Sequence, residues 1–423
     1  MAKRKRRLKP RWKVIIPFFI ILVLIVVLLV FLVKMLIGWI AGGSDKRNSL
    51  YCPSGSVKTV EKLLKQNYPQ TETIGDTFFY GESLIVTSDI YNSINKANAY
   101  NRKTVKLINI CSKKEYTFTL NEKFDEYILV DTLPVGIYEV YLQINEQDVR
   151  LKAEDKIANK LYTVSSGNSV NLVEVIADKE YFTKISAESV LSDNYLFVSV
   201  TKTMLPNDVY DIVIDPEFND KDDDTESNEV YVDDKEAELL LDMANLVAEE
   251  LRSKGYKVLV TRDGLDDHML SYGENGRVYR TVSAQAKYYI GLTLSNSVDE
   301  KARGAQIAHS YYSSDKLADA LYQTLLEKKL TFKQKPVNAT RTSTDYDNVI
   351  DIREIGGIAL QAASFSSFAQ KENGKFAYTV NGVNGVSVNL GYLSNKEDID
   401  ALNQEYKTWA KALATGLDNY IKR

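Results

Sequence analysis

Side chains able to do metal or nucleophilic chemistry are scarce in this chain. There are two histidines, His268 and His309, and two cysteines, Cys52 and Cys111. That count excludes zinc fingers, iron–sulfur clusters and disulfide-rich scaffolds. His309 lies in the strand-like run IAHSYY and His268 in the polar run RDGLDDHMLS. The plain reading is a packed strand histidine and a surface loop histidine; the sharper one is a relocated zinc site. Acidity concentrates between 217 and 236, with ten Asp or Glu against two Lys. Glu217 with Asp222, Asp223 and Asp224 offers oxygen ligands of the kind Ca²⁺ takes. Their spacing matches no calcium loop, and DDDTESNE reads as a solvated loop. Glu236 opens a helical pattern, where a carboxylate suits the positive end of the helix dipole with or without a metal. Cys52 and Cys111 are a possible disulfide if both lie outside the cytoplasm, and two unpaired thiols otherwise.

The elements that must position these groups follow from apolar spacing. VYDIVID (209–215) is a buried-strand run. Next comes a helix with Leu240, Met243, Val247 and Leu251 three or four apart, ended by Gly255. KVLVTR (257–262), YYIGLTLS (288–295) and AQIAHSYY (305–312) are strands, LADALYQTLLEKKL (317–330) is a helix, and GVSVNLGYLSN (385–395) is a strand entering a loop. The chain closes on a helix carrying Ile399, Leu402, Tyr406, Trp409, Leu413, Leu417 and Tyr420. Strands alternating with helices predict an α/β fold, a mostly parallel sheet flanked by helices over residues 208–423. Upstream, KLINICS (106–112), YTFTL (116–120), YILVDTL (127–133), YEVYLQI (138–144) and NLVEVIA (171–177) alternate or run apolar between turns. They predict a small β-sandwich-like domain over 78–205. Residues 42–77 form a linker with a short helical pattern at Val57, Val60, Leu63 and Leu64.

The amino terminus points to a membrane. Residues 14–33 carry no charged or polar side chain, enough for a helix of roughly 30 Å, the depth of a hydrocarbon core. Apolar character resumes after Lys34 and runs through Ile40, with Trp39 at an interface position. Eight Lys or Arg and no acid fill residues 1–13. A cleaved signal peptide has a shorter apolar core, so 14–41 reads as an uncleaved transmembrane helix. Positive charge stays inside, which predicts a single-pass protein of the cell membrane, its N-terminus cytoplasmic and its bulk extracellular. Removing the tail leaves 45 basic against 57 acidic residues, a net −12 on the rest of the chain. No basic face for nucleic acid remains.

The order of segments after 208 resembles the zinc-dependent N-acetylmuramoyl-L-alanine amidase family, which releases stem peptides from bacterial peptidoglycan. The family's strand and Asp-Pro-Gly-His-Gly-Gly correspond to IVID and Pro216-Glu217-Phe218-Asn219-Asp220. Its Glu-led helix and Gly-x-x-Val-x-x-Thr-Arg correspond to KEAELLLDMANLVAEELRSKGYKVLVTRD. Its Val-x-Val-Glu-x-Gly-Phe-Leu-Ser-Asn, acidic turn and closing helix correspond to SVNLGYLSNKEDIDAL. The resemblance implies a zinc held by two His and one Glu, with a second Glu as acid/base. Carried over, the first His position is Phe218, the ligand Glu is Glu236, the second His position is Thr293 or Leu294, and the acid/base position is Asn389. One carboxylate does not complete a three-ligand zinc site, and an amide does not shuttle protons as a carboxylate does.

Three functions follow. The first is a membrane-anchored amidase-like protein that has lost catalysis, needs no cofactor, and binds peptidoglycan or a cell-wall or divisome protein, with the bilayer met through 14–41 and the cleft and Asn395 region supplying recognition. The second is an active amidase cutting the MurNAc-L-Ala amide with a rearranged site, which requires zinc. The third is a scaffold whose β-rich domain is the functional part.

Overall fold

In the computed structural model, described residues are 68, 70–89, 98–121, 127–155, 157–165, 169–177, 194–218, 234–265, 276–299, 301–310, 314–330, 341–342, 345–352 and 382–422. The expected anchor 14–41, the helical pattern at 57–64, Cys52, Asp222–Asp224 and His268 lie outside them. Among the described residues no helix is long and apolar enough to cross a membrane.

The first part is all β. Its strands are β1 (Thr71–Ile74), β2 (Asp76–Tyr80), β3 (Ser83–Thr87), β4 (Thr104–Asn109), β5 (Glu115–Thr119), β6 (Ile128–Leu129), β7 (Gly136–Ile144), β8 (Gln147–Ala153), β9 (Ile157–Ser165), β10 (Ser169–Ala177) and β11 (Phe197–Thr203). One sheet runs β1-β8-β7-β11-β10-β9, with β4 joining β7 to β5; a smaller one runs β2-β3-β6. Alternation along β4, where Val105 and Leu107 point inward, supplies one wall of a core. Phe79, Leu84, Ile85 and Ile128 of the small sheet supply the other. The large sheet is mixed, since β1 runs parallel to β8 while its other pairings are antiparallel.

The second part is α/β. In order it comprises β12 (Ile212–Pro216), α1 (Asp234–Ser253), β13 (Val258–Val260), α2 (Arg277–Ser283), β14 (Tyr288–Ser295), β15 (Gln306–Ser310), α3 (Lys316–Glu327), β16 (Arg341–Thr342), β17 (Val349–Ile352), β18 (Asn384–Tyr392) and α4 (Lys396–Ile421). The sheet order is β13-β12-β14-β18-β15-β17-β16. The block β13-β12-β14-β18 is parallel, and so is the pair β15/β17. β15 runs antiparallel to β18, and β16 antiparallel to β17. Four of its six pairings are parallel, so the expected mostly parallel sheet is present, with β15 reversed against β18. The reason is the connection from β14 to β15 through 296–305, which is shorter than the roughly dozen residues a parallel crossover needs.

One face of this sheet packs under α1, α3 and α4, where Ile214, Leu240, Val247, Leu292, Val388, Leu413 and Leu417 share a core. The other face carries Val213 and Tyr289, which pack with Val282 of α2. Gly255 closes α1 with φ +97° while Tyr256 N–H donates to Leu251 O at 3.2 Å, the left-handed ending that glycine permits.

Candidate functional site

The carboxyl ends of β12, β14 and β18 lie side by side. Asp215 pairs with Gly291 and Gly291 with Ser387, and two residues on Thr293 pairs with Asn389. Strand alternation sends Ile214, Leu292, Leu294, Val388 and Leu390 to the helical side and Asp215, Tyr289, Thr293, Ser387 and Asn389 to the other.

Phe218 lies on the helical side, 5% exposed, in the core beneath Ala237 and Leu240 of α1. Its ring is covered by the Arg262 guanidinium, 4.2 Å from the ring centroid. Arg262 also donates from Nε to Pro216 O at 3.2 Å and from Nη2 to Phe218 O. The arginine of the Thr-Arg segment thus closes the chain over the phenylalanine and satisfies the carbonyls around it.

Glu236 is half-buried in the first turn of α1. Leu294 is 1% exposed inside the helical-side core, whereas Thr293 stands opposite Asn389. Asn389 is buried; its Oδ1 accepts from Gly391 N–H at 3.2 Å, and its Nδ2 has no partner among the described residues. His309 is buried on β15, in register with Val386 of β18 and Asp351 of β17. β15 runs opposite to β18, so His309 sits toward the amino-terminal end of β18, three strand spacings from β12, or roughly 14 Å. The structure therefore brings Thr293 and Asn389 together and places His309 away from them.

Spacing gave no hint of a polar network on the same face. Tyr289 Oη lies 2.7 Å from Asp215 Oδ2 and 2.6 Å from Glu217 Oε1. Asp215 Oδ1 accepts from Thr261 Oγ1 at 2.5 Å, and its Oδ2 meets Arg277 Nη1 at 3.1 Å. Arg277 reaches Glu217 Oε1 at 3.8 Å, and Ser387 Oγ lies 3.4 Å from Glu217 Oε2. Glu217 folds back over Gly291, where a Cβ would stand 2.1 Å from Glu217 Oε1. Burial first, then the Asp215 and Glu217 charges, push the Tyr289 hydroxyl well above its ordinary value, so it remains a hydrogen-bond donor. One signal was readable in advance: Glu217 stands where the resemblance places glycine.

Asn395 takes a local task. Its side chain caps α4, accepting from Glu397 N–H at 3.1 Å and Asp398 N–H at 3.2 Å. Asp398 accepts from Gly304 N–H at 2.7 Å and Tyr392 N–H at 3.0 Å. A Cβ on Gly391 would stand 3.0 Å from Asp398 Cβ. The Gly-Tyr-Leu-Ser-Asn segment is thus a joint locking β18 to α4. In the first part, Cys111 is disulfide-bonded; Cys52 lies outside the described residues.

Among the described residues no group of three or more His, Cys, Asp or Glu is arranged to hold a metal ion. At the family positions the donors present are one carboxylate, one hydroxyl and one amide, with Phe218 in the core, and this set does not fit zinc.

The sequence of residues 212–419 matches the family model of N-acetylmuramoyl-L-alanine amidase. A search of curated proteins found no match. Among solved structures, N-acetylmuramoyl-L-alanine amidase AmiC2 of Nostoc punctiforme is 18% identical with a TM-score of 0.34, over 52% of this chain and all of that one. An N-acetylmuramoyl-L-alanine amidase from Clostridium difficile 630 is 16% identical with a TM-score of 0.35, over 51% of this chain and 98% of that one. The catalytic domain of CwlV from Bacillus (Paenibacillus) polymyxa var. colistinus is 16% identical with a TM-score of 0.36, over 51% of this chain and 99% of that one. At such identities and scores these likenesses carry no argument about chemistry. Through its sequence match, about half of the chain, residues 212–419, carries the pattern of the N-acetylmuramoyl-L-alanine amidase family.

Proposed function

We propose that the chain is a membrane-anchored, extracytoplasmic amidase-like protein that binds peptidoglycan, or a cell-wall or divisome protein, without cutting it. Residues 1–13 lie inside the cell, 14–41 cross the bilayer, and the rest is presented to the wall. The observation that carries the reading is Phe218, an apolar ring buried where the resemblance calls for a zinc-binding imidazole. Its neighbours in that scheme agree: Thr293, Leu294 and Asn389 provide no imidazole and no second carboxylate. Without the ion, no Lewis acid polarises the scissile carbonyl and no bound water is activated. Asn389 donates and accepts hydrogen bonds but has no titratable group with which to take up and return a proton. What remains suits recognition, with the unpartnered Nδ2 of Asn389 able to donate to a ligand carbonyl. The test is to incubate the full chain, in detergent and with added zinc, with dye-labelled cell walls. The reading expects co-sedimentation with the walls, or capture of a wall-associated protein, and no dye release. Dye released above a heat-inactivated control overturns it. The family match over 212–419 favours a second reading, hydrolysis by a rearranged site, and dye release is its signature.

A further inference from the structure

The two parts of the chain meet at the amino-terminal ends of β14 and β18, the end of the sheet remote from Thr293 and Asn389. Two backbone hydrogen bonds cross this seam, Gly81 N–H to Gly382 O at 3.2 Å and Gly382 N–H to Phe79 O at 2.8 Å. Gly81 has φ +57°, and a Cβ there would stand 3.0 Å from Asn384 Cβ, so the close approach depends on glycine. The next residue, Glu82, is 6% exposed and accepts from Tyr288 Oη at 2.8 Å. It borders a cavity of about 20 Å³ shared with Ser83, Asp131, Asn384 and Tyr420, room for one water. Ser83 Oγ is buried there with no partner among the described residues.

The charges around Glu82 come from every element at the seam. Asp131 faces it from the turn after β6, Lys287 and Tyr288 from the head of β14, Asp211 from the approach to β12, Tyr420 from the end of α4, and Tyr256 from the connection between α1 and β13. Lys287 is the cation of this set, and its Nζ is committed to Asp211 Oδ1 at 2.5 Å and Tyr162 O at 3.0 Å. Among the described residues around Glu82, three carboxyl groups therefore meet one ammonium, and that ammonium already pairs with Asp211. An ionised Glu82 would be a desolvated negative charge beside Asp131, whereas a neutral one fits.

We propose that Glu82 is a proton-operated latch between the β-rich part and the amidase-like part: the seam closes on the neutral carboxyl and loosens when it ionises. Burial first and Asp131 second push this group up from 4.5 to about 7. Opening the seam returns Glu82 to water and to its ordinary value, so opening releases a proton. The opening constant then rises about tenfold per pH unit between those two values and levels off above the upper one.

The test is hydrogen exchange of the Gly81 and Gly382 amides in the full chain, from about pH 5 to about pH 8, corrected for base-catalysed intrinsic exchange. Protection should fall about tenfold per unit up to near neutrality and then flatten. In Glu82→Gln it should be independent of pH. Flat protection in the wild type, or the same fall in Glu82→Gln, overturns the latch. Should Glu82→Gln not fold, a ¹³C-carboxyl NMR titration of Glu82 in the wild-type chain decides: a midpoint near 7 supports the latch, and a midpoint in the ordinary glutamate range overturns it.

Discussion

Phe218 and Glu217 are consecutive and do opposite things. One turns into the helical-side core, and the other turns onto the opposite face and joins Tyr289, Asp215 and Arg277. The network is a buried-charge problem solved by pairing: Arg277 is 1% exposed, and its partner Asp215 is fully buried. Removing Asp215 takes away the carboxylate 3.1 Å from the buried Arg277 guanidinium and leaves the longer contact to Glu217 at 3.8 Å. Asp215→Asn should therefore lower unfolding stability by about 3–5 kcal/mol, read from the urea midpoint at constant m-value. Phe218→Ala should cost about 3–5 kcal/mol as well, and it also removes the ring on which Arg262 rests. Phe218 was legible in the sequence because it stands where the resemblance places the first ligand histidine. The Glu217 network was not, because Tyr289 is separated by 72 positions from Glu217 and by 74 from Asp215, and only strand register joins them.

At the scale of elements, the helices and parallel strands were legible because each is a continuous pattern of apolar spacing: YYIGLTLS is β14, and the stripe from Leu240 to Leu251 is the inward face of α1. The antiparallel placement of β15 was not, since pairing partners are a long-range property that periodicity does not encode. The same holds for Arg150 on β8, which is fully buried on the large sheet's outer side. Its Nη1 donates to Val140 O at 2.8 Å and Leu196 O at 2.7 Å, while rings of Tyr68, Tyr141, Tyr195 and Phe197 surround the guanidinium at 4.8–5.4 Å. A lysine ammonium cannot reproduce both the planar stacking and the carbonyl bonds. Arg150→Lys should cost at least about 2 kcal/mol, measured by chemical denaturation. Asn395→Ala, which removes the α4 cap, should cost about 1 kcal/mol and speed amide exchange in the first turn of α4.

At the scale of the molecule, two differently built parts share one buried acid. The Glu82 carboxyl is raised in the folded chain, so its contribution is fully present below its unfolded value of 4.5 and is lost as pH rises through about 7. The loss is on the order of 3 kcal/mol, and it should appear as a difference between wild type and Glu82→Gln in urea unfolding across that window. The proposal that the long portion faces away from the cytoplasm rests on the basic tail at 1–13 ahead of the apolar run at 14–33. We propose that an amidase-like fold persists here with Phe218 in place of one ligand imidazole and with neither the other imidazole nor the acid/base carboxylate. The most direct test is elemental analysis of the full chain purified without chelator and dialysed against zinc. Zinc is expected in less than stoichiometric amount; one tightly held zinc per chain would mean that the site still holds its ion.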